Sequence, residues 1–167
     1  MLDTFVKNKD NILTKKAYDK MGLIKNRYIV ATIHRKENTS NKEKLHNIFT
    51  ALNTISKDIF SVVLPIHPAT KKALKSLDID ISHIKMIDPC GYSTFLSLVS
   101  ESNFVITDSG GLQKDAYYLK KKTLVCRTES EWPELKKNNA SILIDPSKLD
   151  DIMHAVNQLV NSEIIYK

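Results

Sequence analysis

Apolar residues along this chain fall into two alternating patterns. Short runs rich in Val and Ile occur at 28–33 (YIVATI), 60–65 (FSVVLP), 84–87, 103–107 (NFVIT), 123–126 (TLVC) and 141–144 (SILI), and each reads as a strand. Between them lie longer stretches in which apolar positions recur every three or four residues. Asn41 precedes Leu45, Ile48, Phe49, Leu52 and Ile55 at helical spacing. The stretch 68–77 predicts a helix with Pro68 in its first turn. Helices are also predicted over 93–101, with Phe95, Leu98 and Val99 on one side, over 110–119, and over 147–160 with Ile152, Val156 and Leu159 apolar. Continuous apolar strands are what a sheet covered on both faces requires. The order β-α-β-α therefore predicts an α/β fold: an open parallel sheet with helices on both faces and right-handed crossovers. Residues 2–21 precede the first strand and predict an amphipathic helix through Leu2, Phe5, Val6, Ile12, Leu13, Ala17 and Met21. That divides the chain into an opening helical segment, 1–22, and the domain proper, 23–167.

Composition narrows the classes. The 167 residues are 42% hydrophobic and 26% charged, a globular balance with enough length for one core. No apolar run is long enough to cross a bilayer, and the N-terminus lacks the pattern of a secretory signal. Cys90 and Cys126 form no pair motif, so neither a disulfide framework nor a metal site is expected, and a reducing cytoplasm fits. The net charge of +6 favours anionic partners. The lysines are scattered without interleaved aromatics, which argues for a solvated surface and against nucleic acid.

Ligands of such sheets bind beyond the carboxyl ends of the strands, and three of those ends carry unusual residues. The first is Thr107-Asp108-Ser109-Gly110-Gly111-Leu112-Gln113. Ser109 is a good N-cap, and the two glycines leave the backbone bare for a phosphate at a helix N-terminus. An ordinary capped helix with a Gly-Gly turn fits the same residues equally well. Asp115, about one turn on, is within reach of a sugar hydroxyl. No G-x-G-x-x-G occurs, so this is not the dinucleotide fingerprint. The second is Thr32-Ile33-His34-Arg35-Lys36-Glu37-Asn38, where a His beside two cations suits a phosphate contact or an acid, and a solvated loop fits as well. The third is Pro65-Ile66-His67-Pro68, a rigidly placed His whose commoner role is structural. Phe95 suits stacking on a base or packing in the core, and Trp132 suits either a cleft or the interior.

Taken together and in order, these segments resemble the non-hydrolysing UDP-N-acetylglucosamine 2-epimerases. Residues 31–38 resemble the family's (A/T)-x-H-R-x-E-N, 65–68 its P-x-H, 107–113 its T-D-S-G-G-x-Q, and 127–134 its R-x-x-(T/S)-E-x-P-E. The resemblance implies a GT-B architecture, two Rossmann-like domains with the active site between them, of which this chain matches the second. Met1-Leu2-Asp3 resembles an inter-domain segment rather than a natural start, so the N-terminal domain is expected to be absent. The implied activity interconverts UDP-GlcNAc and UDP-ManNAc by elimination and re-addition of UDP, with no cofactor and no metal, for surface polysaccharide synthesis. Carried over, the family's roles put Ser109 and Gly110 on phosphate, Gly111 in the turn, Asp115 at the ribose, Phe95 at the uracil and His34 at the pyrophosphate. Arg35 and His67 fall where several bacterial members hold a second UDP-GlcNAc as activator. Family members are usually dimers, which implies a homodimer.

Four positions depart from the family pattern. Asp115 replaces a longer Glu, Lys114 a Glu, and Pro68 a Leu. Trp132 stands where many members have Arg, a form that resembles relatives acting on diacetamido uronic acids. The carboxylates that act on the C2 proton belong to the first domain, so this chain is expected to be inactive alone. Two rival readings are the donor-binding domain of a GT-B glycosyltransferase and a stand-alone nucleotide-sugar-binding module.

Overall fold

The computed structural model describes residues 2–137 and 139–161. Among the described residues, six strands form one parallel sheet: β1 (Tyr28–Thr32), β2 (Ser61–Pro65), β3 (Lys85–Ile87), β4 (Phe104–Thr107), β5 (Lys122–Val125) and β6 (Ser141–Leu143). Their spatial order is β3-β2-β1-β4-β5-β6. The helices are α1 (Leu2–Thr14), α2 (Ala17–Lys20), α3 (Lys36–Thr39), α4 (Lys42–Asp58), α5 (Pro68–Leu74), α6 (Tyr92–Ser100), α7 (Gly110–Tyr118), α8 (Pro133–Lys137) and α9 (Leu149–Asn161).

Both faces of the sheet are buried, as the Val/Ile runs predict. Successive side chains of a strand point to opposite faces. On β1, Ile29 and Ala31 join the core under α4 and α9, packing with Leu45, Ile48, Leu52, Ile152 and Val156. Tyr28 and Val30 join the other core, with Leu96 and Val99 of α6 and Leu112 and Ala116 of α7. The chain leaves β1 toward β2 and leaves β4 toward β5. The loops after these two neighbouring strands therefore diverge and open a crevice between them.

Three local expectations are corrected. The opening helix is not continuous: Lys16 adopts a left-handed backbone (φ 48°) and separates α1 from α2. The turn lets the Ala17 N–H donate to Ser97 Oγ at 3.0 Å and places Ala17 against α6. Of the predicted apolar stripe, Phe5, Ile12 and Ala17 are buried, whereas Val6 and Leu13 are exposed; Met1 and the Leu2 side chain lie outside the described residues. Residues 36–39 form a helical turn, and 133–137 form a short helix that starts on Pro133, a residue whose fixed φ suits a first helical position.

Candidate functional site

The site starts from the paired ends of β1 and β4. Thr32 and Thr107 are register partners, and their hydroxyls share a 2.6 Å hydrogen bond. Thr107 Oγ1 also accepts from the Ser109 N–H at 2.9 Å, which turns the chain sharply out of the strand. Helix α7 then begins, capped by Ser109 Oγ, which accepts from the Leu112 N–H at 3.4 Å. The first N–H groups of a helix have no partner inside it. The cap takes Leu112, so Gly110 and Gly111 present their amides at the positive end of the helix dipole, beside the crevice.

Between the two strand ends sits Asp108, whose side chain is completely buried. Its carboxylate accepts from the His34 N–H at 3.1 Å, the Arg35 N–H at 2.9 Å and Asn38 Nδ2 at 3.0 Å. Asn38, buried too, also donates to the Cys126 carbonyl at 3.1 Å, tying in the end of β5. One carboxylate thus closes the turn of α3 from across the sheet. Hydrogen bonds to an ionised acceptor are about twice as strong as neutral ones, and they offset the cost of burying the charge. Burial pushes the Cys126 thiol well above its usual range, so this cysteine is a packing residue rather than a nucleophile.

Asp108 places His34 at the mouth of the crevice. The His34 side chain is 42% exposed, with Nε2 4.0 Å from Asp108 Oδ1. The His67 ring stands 6.0 Å away, centroid to centroid. His67 is also the N-cap of α5, where its Nδ1 accepts from the Ala69 N–H at 3.1 Å. Next to His34 the charges form a chain. Arg35 Nη2 lies 3.6 Å from Glu131 Oε1. Arg127 donates to the same oxygen at 2.8 Å and to Glu37 Oε1 at 2.9 Å. The bond from Arg127 holds the Glu131 carboxyl below its ordinary range. The Glu131 side chain lies directly over Gly110: a Cβ there would meet Oε2 at 2.6 Å. Trp132 closes the same corner, its indole N–H donating to the Gly110 carbonyl at 2.7 Å and its ring lying under the Lys114 ammonium at 4.5 Å.

On α7, Asp115 is only 7% exposed, and its Oδ1 accepts from the Tyr92 hydroxyl at 3.2 Å. Burial raises the Asp115 carboxyl above its ordinary range, and the bond from Tyr92 acts in the opposite sense. Phe95, one turn after Tyr92 on α6, is partly buried against the second core.

The structure therefore brings His34, Arg35, His67, Ser109 and Gly110 to one rim, with Gly111 the second residue of α7 and Asp115 and Phe95 further along α7 and α6. Sequence reasoning assigned no role to Asp108, Asn38, Glu131 or Tyr92. Asp108 and Asn38 were signalled as polar residues at strand ends. Their burial depends on pairings across 70 residues that no local pattern displays. Among the described residues, no group of three or more His, Cys, Asp or Glu is placed to hold a metal ion, and no helix is long and apolar enough to cross a membrane.

Comparison with known proteins gives the family and the fold. The family model described as UDP-N-acetylglucosamine 2-epimerase matches residues 1–167. The UDP-2,3-diacetamido-2,3-dideoxy-D-glucuronate 2-epimerase of Pseudomonas aeruginosa is 38% identical over 121 residues, covering 72% of this chain and 34% of that protein. The UDP-N-acetylglucosamine 2-epimerase of Methanocaldococcus jannaschii is 35% identical over 147 residues, covering 84% of this chain and 40% of the relative. The crystal structure of the M. jannaschii enzyme in complex with UDP-GlcNAc and UDP superposes with a TM-score of 0.84 at 30% identity, over 99% of this chain and 47% of that one. The fold is thus the Rossmann-like α/β half of a GT-B architecture, and the chain spans less than half the length of each of these relatives.

Proposed function

Because the chain belongs to the UDP-N-acetylglucosamine 2-epimerase family, we propose that it is the UDP-binding half of an enzyme that inverts C2 of a UDP-N-acetyl sugar. The observation that carries this reading is the crevice between β1 and β4. There, a buried carboxylate holds His34 and Arg35 beside the N-terminus of α7, where the Glu131 side chain lies over Gly110. Elimination of UDP across C1–C2 builds charge on a departing pyrophosphate. Pre-oriented amides at a helix N-terminus stabilise such charge without reorganisation.

In this reading Ser109 and Gly110 bind the diphosphate, with Gly111 shaping the turn. His34 contacts the pyrophosphate and assists its departure. Phe95 lies by the uracil, and Asp115 serves the ribose. Arg35 and His67 meet a second nucleotide sugar that acts as activator. Acid–base work at C2 needs carboxylates facing the sugar, and these belong to a first domain not included in the sequence. Residues 1–22 bridge the two domains, and the chain by itself binds without turning over.

The sugar itself has a second reading, UDP-diacetamido-glucuronate. Trp132 favours it: an indole replaces a cation beside Gly110, and the P. aeruginosa relative carries that activity in its name. Calorimetric titration of the chain with UDP, and with ADP as control, tests the binding reading. Selective UDP binding is expected; equal affinity for both, or none, refutes it. Joined to a first domain, the enzyme is expected to release a glycal. Its absence alongside sugar transfer to an acceptor would place the chain among glycosyltransferases instead.

A further inference from the structure

Asp115 occupies the position assigned above to ribose recognition, yet its carboxylate is nearly enclosed. It is 7% exposed, and Oδ1 is engaged by the Tyr92 hydroxyl at 3.2 Å. An aspartate has no spare length with which to extend past this partner. Tyr92 is the first residue of α6 and is 37% exposed, so it stands outside Asp115 at the surface of the site. Phe95 follows three positions later, and residues three apart on a helix share a face. The face of α6 that would meet the base therefore also carries the phenol.

We propose that Tyr92 is the residue that contacts the ribose diol, with Asp115 behind it as a positioning residue. The proposal rests on the reading that this chain binds UDP. The polarity of the contact follows from the observed bond. The phenol donates its only proton to Asp115, so its oxygen is left as an acceptor for a ribose hydroxyl. Burial and the neighbouring Asp115 push the Tyr92 phenol up to about 12, which keeps that proton in place at neutral pH. Asp115 thus orients the phenol oxygen toward the nucleotide, and a shorter acid paired with a long phenol spans the distance to the ribose.

The test compares UDP with 2′,3′-dideoxy-UDP, which lacks both ribose hydroxyls, by titration of the parent chain, Tyr92→Phe and Asp115→Asn. The parent is expected to favour UDP by about three- to tenfold, the range one hydrogen bond supplies. Tyr92→Phe is expected to bring that ratio close to one through weaker UDP binding, with dideoxy-UDP affinity unchanged. Asp115→Asn is expected to reduce the ratio to an intermediate value. If Tyr92→Phe weakens both nucleotides equally and lowers the melting temperature, the Tyr92–Asp115 pair is only a cross-link between α6 and α7, and the proposal is overturned. A ratio preserved in Tyr92→Phe but lost in Asp115→Asn overturns it too, because the carboxylate then meets the ribose directly. Absence of UDP binding by the parent refutes the UDP-site reading itself and this proposal with it.

Discussion

Replacing Asp108 by Ala tests the physical basis of the crevice. The carboxylate is fully buried and accepts three N–H groups: the amides of His34 and Arg35 and the Asn38 side chain. Alanine leaves all three without this partner, although Asn38 keeps its bond to the Cys126 carbonyl. An unsatisfied buried donor costs about 1–3 kcal/mol, so two orphaned amides set a range of about 2–6 kcal/mol. Two effects lower the upper end. The turn 36–39 can open and let water reach the amides, and the buried charge is removed together with its desolvation cost. A loss of about 3 kcal/mol is expected. For a chain of this size that is a drop in melting temperature of roughly 6–12 °C. Asp108→Asn keeps one acceptor oxygen and loses the charge, so it is expected to cost about half as much. Urea unfolding followed by circular dichroism measures both. A double-mutant cycle with Asn38→Ala should show coupling of about 1 kcal/mol, as contacting network members do. An Asp108→Ala chain within about 0.5 kcal/mol of the parent, a difference ordinary for surface changes, would refute the claim that this carboxylate locks the site.

Asp115→Asn is expected to stabilise the chain at neutral pH. Its carboxyl titrates above the ordinary range in the folded state. From about pH 4, the ordinary aspartate value, up to that raised value, the folded state therefore binds the proton more tightly than the unfolded state. Parent stability falls as pH rises through this window, and urea midpoints from about pH 4 to about pH 7 should decline more in the parent than in Asp115→Asn. Gly110→Ala must displace the Glu131 carboxylate that sits 2.6 Å from the new methyl. It should cost under about 1 kcal/mol, because Glu131 is flexible and half exposed, yet weaken UDP binding in titration by crowding the amides. Ser109→Ala removes a cap whose bond is long at 3.4 Å, so a loss near the low end of about 0.5–2 kcal/mol is expected on urea unfolding. Trp132→Phe breaks the bond to the Gly110 carbonyl and should cost about 1 kcal/mol by the same measurement.

All six strands, the parallel sheet and the two covered faces were legible in the sequence, because burial on both sides imposes near-continuous Val/Ile runs such as Tyr28–Thr32 and Phe104–Thr107. The helix start at Ser109-Gly110 was equally legible, since capping is a local matter of one side chain and the next turn. The break at Lys16, the helical turn 36–39 and the enclosure of Asp115 were not. Lys16 has no intrinsic reason to turn left-handed; the turn is held by docking Ala17 on Ser97, 80 residues away. The run His34-Arg35-Lys36-Glu37 reads as a solvated loop until Asp108, from another strand, closes it. Glu131 gives no sign of lying over Gly110, nor Tyr92 of bonding to Asp115. By itself the sequence determined the elements and their order, because those follow from short-range periodicity and caps. Only the tertiary structure decided which polar side chains became partners, because a buried carboxylate is satisfied by whatever donors the strand order brings beside it.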